Sequence, residues 1–97
     1  MNSLEFERAA KAALGHVLAV DRGMHVPAEE MQLVWFAHVL GSKKAMIFCP
    51  ALAGEYAEIT FNAGTGEIYV DIYAKMSNAA FSASQAAALG KEGEDEK

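Results

Sequence analysis

The chain has 97 residues, 53% of them hydrophobic, and a formal net charge of -5. That length holds one domain with a small core, a size at which oligomerisation often adds stability, and the apolar share excludes a disordered chain. The negative balance excludes general binding to nucleic acid, which runs on phosphate neutralisation by Lys and Arg, and suits a chain that docks on a basic partner.

Cys49 is the single cysteine. No intrachain disulfide is possible, as expected of a protein in the reducing cytoplasm. Residues 1–11 are polar and the apolar residues that follow have helical spacing, so no signal peptide is expected. No apolar run approaches the length of a membrane span.

Residues 2–19 read as an amphipathic helix. Asn2 caps it, and Glu5 three residues on completes a capping box. Phe6, Ala10, Ala13, Leu14 and Val17 form the apolar stripe, and Glu7 and Lys11 stand four apart in the favourable order. Gly23 is placed to end the helix in the left-handed conformation. Residues 27–30 predict a single helical turn with Pro27 at its first position.

Residues 31–40 are β-branched and aromatic and read as a strand. Gly41-Ser42 is taken as a two-residue type II′ loop, and residues 43–49 return as a second strand stopped by Pro50. This register sets His38 opposite Ala45, Phe36 opposite Ile47 and Val34 opposite Cys49. On the other face Val39 meets Lys44, Ala37 meets Met46 and Trp35 meets Phe48. Both faces are largely apolar, and one helix covers only one of them. The face of Trp35, Ala37, Met46 and Phe48 is therefore the expected homodimer interface, with the C-terminal segment as the competing cover.

Residues 55–75 form the clearest pattern. Ala57, Ile59 and Phe61, then Ile68, Val70, Ile72 and Ala74, alternate with polar residues around a glycine-bearing turn, the signature of a hairpin with one buried face. With residues 63–66 as the loop, Asn62 faces Glu67, Thr60 faces Tyr69, Glu58 faces Asp71 and Tyr56 faces Tyr73. A slip by one residue drives the isoleucines into water, which fixes the register modulo two and leaves the loop length to choose among the even slips. Two carboxylates thus face each other, and that repulsion needs an offset from Lys75, Lys44, a cation, a partner or water. Residues 77–89 are alanine-rich and predict a helix capped by Ser77 or Asn78. Residues 90–97 read as a solvated acidic tail beyond a single domain over 1–89.

No residue pattern commits the chain to a chemistry. The three histidines, His16, His25 and His38, have no metal-ligand spacing, and none is expected to hold a metal or cofactor. A Cys49–His38 nucleophile pair fails because the two stand two cross-strand pairs apart. A Glu58–Asp71 acid–base pair lacks the pocket needed to split its two pKa values. The NAGTG turn has neither the lysine nor the following helix of a phosphate loop. Residues Tyr56, Glu58, Tyr69, Asp71, Tyr73, Lys75 and Lys44 are left as a candidate binding face.

The runs Val34-Trp35, Leu40, Lys44-Ala45, Glu55-Tyr56, Glu58-Ile59-Thr60, Glu67-Ile68-Tyr69-Val70-Asp71 and Tyr73-Ala74-Lys75 resemble a family of short uncharacterised proteins from phages and prophages of Gram-positive bacteria. The resemblance covers residues 6–78. It departs at His38, where the family usually has lysine, which weakens a basic patch built from positions 38 and 44. It implies a mobile-element setting and no catalytic residues.

The expected fold is α+β, an N-terminal helix on a four-stranded antiparallel meander in the order 1-2-3-4, with a C-terminal helical segment. The expected function is non-enzymatic: a cytoplasmic homodimer that binds a host protein, inhibiting or redirecting a defence protein such as a nuclease. The alternatives are an oligomer that sequesters a signalling nucleotide or other small ligand through Lys44, Lys75, His38 and tyrosine stacking, and a structural or replication accessory of the element.

Overall fold

The computed structural model describes residues 1–95. It is an α+β domain: helix α1 (Ser3–Arg22), strands β1 (Gln32–Val39), β2 (Ser42–Phe48), β3 (Glu55–Asn62) and β4 (Glu67–Ala74), and helix α2 (Ala83–Asp95). The strands form one antiparallel sheet in the order β1-β2-β3-β4.

Both ends of α1 follow from local chemistry. The Asn2 side chain accepts from the Glu5 N–H at 2.8 Å, and Glu5 accepts from the Asn2 N–H at 3.2 Å. Two of the orphan donors at the helix start are thereby satisfied. Gly23 closes the helix at φ 63°, donating to the carbonyls of Ala19 and Leu18. The helix thus runs three residues past the expected end. Phe6, Ala10, Leu14 and Leu18 are its fully buried residues. Leu18, four residues on from Leu14, replaces Val17 in the deepest row; Ala13 and Val17 are half-buried. Pro27 caps the 3-10 turn Ala28–Glu30 and does not open it, since its ψ of 156° is extended.

The inner sheet face meets this row. Ala45, Ile47 and Cys49, then Ala57 and Ile59, are buried with Leu52, Val26 and Met31; Leu33, Phe61, Ile68, Val70 and Ile72 pack around them. Each fully buried Leu, Ile or Phe contributes about 1.5–3 kcal/mol. The 24–31 connector passes beside Gly15 at a distance a Cβ would tolerate, 3.5 Å from the Val26 carbonyl and 3.5 Å from Met31 Cε.

The β3–β4 register is the expected one throughout, from Asn62 opposite Glu67 to Tyr56 opposite Tyr73. The Asn62 side chain shapes the loop by accepting from the N–H groups of Gly64 and Thr65.

The β1–β2 register differs. The turn is Leu40-Gly41, with φ of 50° and 83°, so both central residues are left-handed as in a type I′ hairpin, not type II′. His38 therefore pairs with Lys43, Phe36 with Ala45, Trp35 with Met46 and Ala37 with Lys44. The slip is by two residues, so each of these side chains keeps its expected face. Opposite the small Ala45, the Phe36 ring leans onto Phe6, with centroids 5.8 Å apart. The expected Val34–Cys49 pair does not form: the ladder breaks between Leu33 and Trp35. This bulge at Val34 turns Leu33 inward, opposite Ile47.

The C-terminal segment also departs from expectation. Ser82 and Gln85 exchange a second capping box at 3.1 and 2.9 Å, so the cap is Ser82, not Ser77 or Asn78. The helix continues through Gly90 to Asp95, where a solvated tail was expected; residues 96–97 of that tail lie outside the described residues.

Two stability measurements test this core. Ile59→Ala removes a side chain with no solvent exposure and is expected to lower the unfolding free energy by about 3 kcal/mol in urea titrations. Leu40→Asn supplies the residue that a type I′ turn prefers in place of a branched side chain at φ 50°, and is expected to raise it by about 1 kcal/mol.

Candidate functional site

Alternation along the strands delivers a second, outer face to the sheet. On β1 and β2 it carries Trp35, Ala37 and Val39, then Lys44, Met46 and Phe48; on β3 and β4 it carries Tyr56, Glu58 and Thr60, then Glu67, Tyr69, Asp71 and Tyr73. No element packs on this face among the described residues. Helix α1 lies against β2, β3 and β4 from the inner side, and residues 83–92 of α2 are all exposed. The C-terminal segment, the competing cover expected from the sequence, therefore covers nothing here.

The face divides into two halves. The β1–β2 half is apolar, with Trp35 38% and Phe48 42% exposed. The β3–β4 half is acidic and phenolic. Its centre is the row Trp35, Met46, Glu58, Asp71, in which each residue is the cross-strand neighbour of the next. Glu58 stands opposite Asp71 as expected, and Lys44 supplies the offset with its Nζ 3.0 Å from Glu58. The hydrogen bond to Glu58, then the carboxylate's charge, raise the Lys44 ammonium above its ordinary value. Asp71 makes no ion pair among the described residues. Tyr56 and Tyr73 stack at 5.2 Å, and the Tyr69 hydroxyl donates to Glu67 at 3.1 Å.

The remaining predicted residues are distributed less tightly. Lys75 falls just beyond β4, where its N–H donates to the Gly54 carbonyl; it lines an open cleft of about 500 Å³ with Tyr56, Glu55 and Met76. His38 pairs with Lys43, one position removed from Lys44, and so lies on the inner face, away from Lys44. Cys49 is fully buried. Among the described residues no group of three or more His, Cys, Asp or Glu side chains is placed to hold a metal ion.

Two interactions had no signal in the sequence. Arg22 grips Glu55 with both guanidinium nitrogens, at 2.7 and 2.8 Å, tying the end of α1 to the start of β3. The 33-residue separation leaves no periodicity to read. Lys43, 5% exposed, donates to the Gly41 carbonyl at 3.3 Å and lies 5.9 Å from the Phe61 ring. Its aliphatic stem packs on the inner face while its ammonium is held at the hairpin end.

The architecture is a two-layer domain whose sheet is sealed by a helix on one side only. The chain belongs to a family of unknown function (DUF6275), whose model matches residues 7–83. The match ends where α2 begins. No curated protein and no solved structure matches the chain.

The Arg22–Glu55 pair gives a pH test. Its hydrogen bonds from Arg22, then the guanidinium charge, hold the Glu55 carboxyl below its ordinary value of 4.5. A carboxyl lowered on folding stabilises fully above its unfolded pKa and loses that effect as pH falls through the folded one. Glu55→Gln is expected to lower the melting temperature slightly at neutral pH, with the difference from the parent closing below about pH 4.

Proposed function

We propose that this protein is a small, non-enzymatic binding protein of a mobile genetic element, a phage or prophage, and that it works as a homodimer in the host cytoplasm. The acidic half of the outer face docks on a basic surface of a host protein and inhibits or redirects it, with defence proteins the target class. Tyr56, Glu58, Tyr69, Asp71 and Tyr73, with Lys44 and Lys75 at the margins, form the docking surface. Trp35, Ala37, Met46 and Phe48 belong to the contact between copies.

The observation that carries this reading is the uncovered outer face. It is displayed on strands whose other side is anchored in the core, so its side chains are pre-ordered and bind with little loss of freedom. It carries a carboxylate, Asp71, with no ion pair among the described residues, between exposed tyrosines. Aromatic side chains are enriched at interfaces, and complementary charge steers encounter and selects the partner. The clefts on this face are open and not enclosed, a shape that fits a macromolecular partner better than an enclosed small ligand.

The test is capture from host lysate with the intact chain as bait, read by mass spectrometry against a Glu58→Lys/Asp71→Lys double variant. The expected outcome is a host protein with a basic surface that the parent retains and the variant loses. The melting temperature is expected to fall only modestly: Glu58→Lys breaks the ion pair with Lys44, while neither substitution touches the core. Equal retention by the variant removes this face as the docking site.

A further inference from the structure

Two segments with exposed apolar side chains have no partner among the described residues. One is the outer face of β1 and β2. The other is α2, whose residues 83–92 are all exposed and whose neighbourhood carries the exposed side chains of Phe81 and Leu89. This helix has 13 residues, with Gly90 and Gly93 inside it. Isolated helices of that length are marginal in water, and interior glycines weaken them further. A capping box at Ser82 starts the helix; it does not supply the tertiary burial that such a helix needs. The chain is correspondingly extended, with a radius of gyration of 17.4 Å where a compact domain of this size has about 13 Å.

We propose that α2 is an exchanged arm: the helix of one copy lies across the apolar β1–β2 half of the outer face of a second copy, which returns the same contact. This rests on the homodimer in the proposed function and names the element that builds it.

The placement of the arm favours a second copy over the arm's own sheet. The arm leaves from β4, the edge opposite β1. Its own apolar half lies beyond the acidic half, and the structure holds residues 83–92 exposed and off that sheet. Residues 75–82, the connection, reach roughly 27 Å when extended, enough to bridge to a neighbouring molecule. A reciprocal arm adds its own buried area to the sheet contact on each side, toward the roughly 800 Å² per partner of a stable interface.

Trp35 lies in the patch and is the only tryptophan, so its fluorescence reports the cover directly. The experiment compares the full chain with a full-length Phe81→Asp/Leu89→Asp variant, by light scattering and by acrylamide quenching of Trp35, with circular dichroism melts as the check on folding. Both substituted residues are at least half exposed, so the sheet is left intact. The expected parent has twice the 10.4 kDa chain mass and a shielded, blue-shifted Trp35. The expected variant has the single-chain mass and a red-shifted Trp35 quenched several-fold more strongly.

A variant that stays dimeric with Trp35 shielded overturns the arm and leaves the homodimer standing on another contact. A dimeric parent with Trp35 open to acrylamide overturns the arm in the same way. A monomeric parent whose Trp35 is shielded, and is opened by the substitutions, shows the arm closed on its own sheet and overturns the exchange. A monomeric parent with Trp35 open overturns both the arm and the homodimer.

Discussion

A sheet has two faces, and this chain packs one helix on one of them. Everything in the architecture depends on that asymmetry. The row Phe6, Ala10, Leu14 and Leu18 seals the inner side against Ala45, Ile47, Ala57 and Ile59. Alternation then forces the intervening residues outward, whatever their chemistry. On β3 and β4 those residues are polar and tolerate water. On β1 and β2 they are Trp35, Val39, Met46 and Phe48, for which water is a poor environment. The chain thus builds a finished core and an unfinished surface from the same strands.

The electrostatics of the outer face follow the same logic. Glu58 and Asp71 are forced opposite each other by the register that buries Ile59 and Val70. The repulsion is relieved on one side only, because Lys44 reaches Glu58 from the neighbouring strand. The inner side is handled differently: Arg22 and Glu55 meet as a two-pronged pair where α1 ends and β3 begins. The first arrangement leaves a carboxylate presented outward. The second fastens helix to sheet.

How much of this was legible in the sequence varied with the contrast between faces. In the last hairpin Ile59, Phe61, Ile68, Val70 and Ile72 alternate with polar side chains, so a slip by one residue exposes them all, and the glycine-bearing loop 63–66 selects among the even slips. In the first hairpin both faces are apolar, so burial does not distinguish one even-numbered slip from another. The turn then decides, and Leu40 in a left-handed conformation is not a residue that turn chemistry points to. Leu18 was hidden because helix rotation over a sheet is set by packing, not by the stripe alone. The candidate site was legible as a face, since Tyr56, Glu58, Tyr69, Asp71 and Tyr73 share it as expected. Lys44 was legible only as one of several offsets for the Glu58–Asp71 repulsion, and the Arg22–Glu55 pair not at all, because its partners lie 33 residues apart. The family match confirms an uncharacterised domain family and reaches from the first turns of α1 to the first residue of α2.

The break in the β1 ladder at Val34 limits how copies of this molecule can meet. An outermost strand with a regular ladder offers free backbone groups to any similar strand, and chains so joined propagate into ribbons without end. Here the extra residue interrupts the spacing of those groups midway along the rim, and the strand twists locally away from a flat template. Growth at that rim is discouraged, and the outer face offers stacking through side chains instead. Contacts of that kind saturate once two surfaces have met, so the molecule can be greasy on one side and still stop at a small, closed assembly.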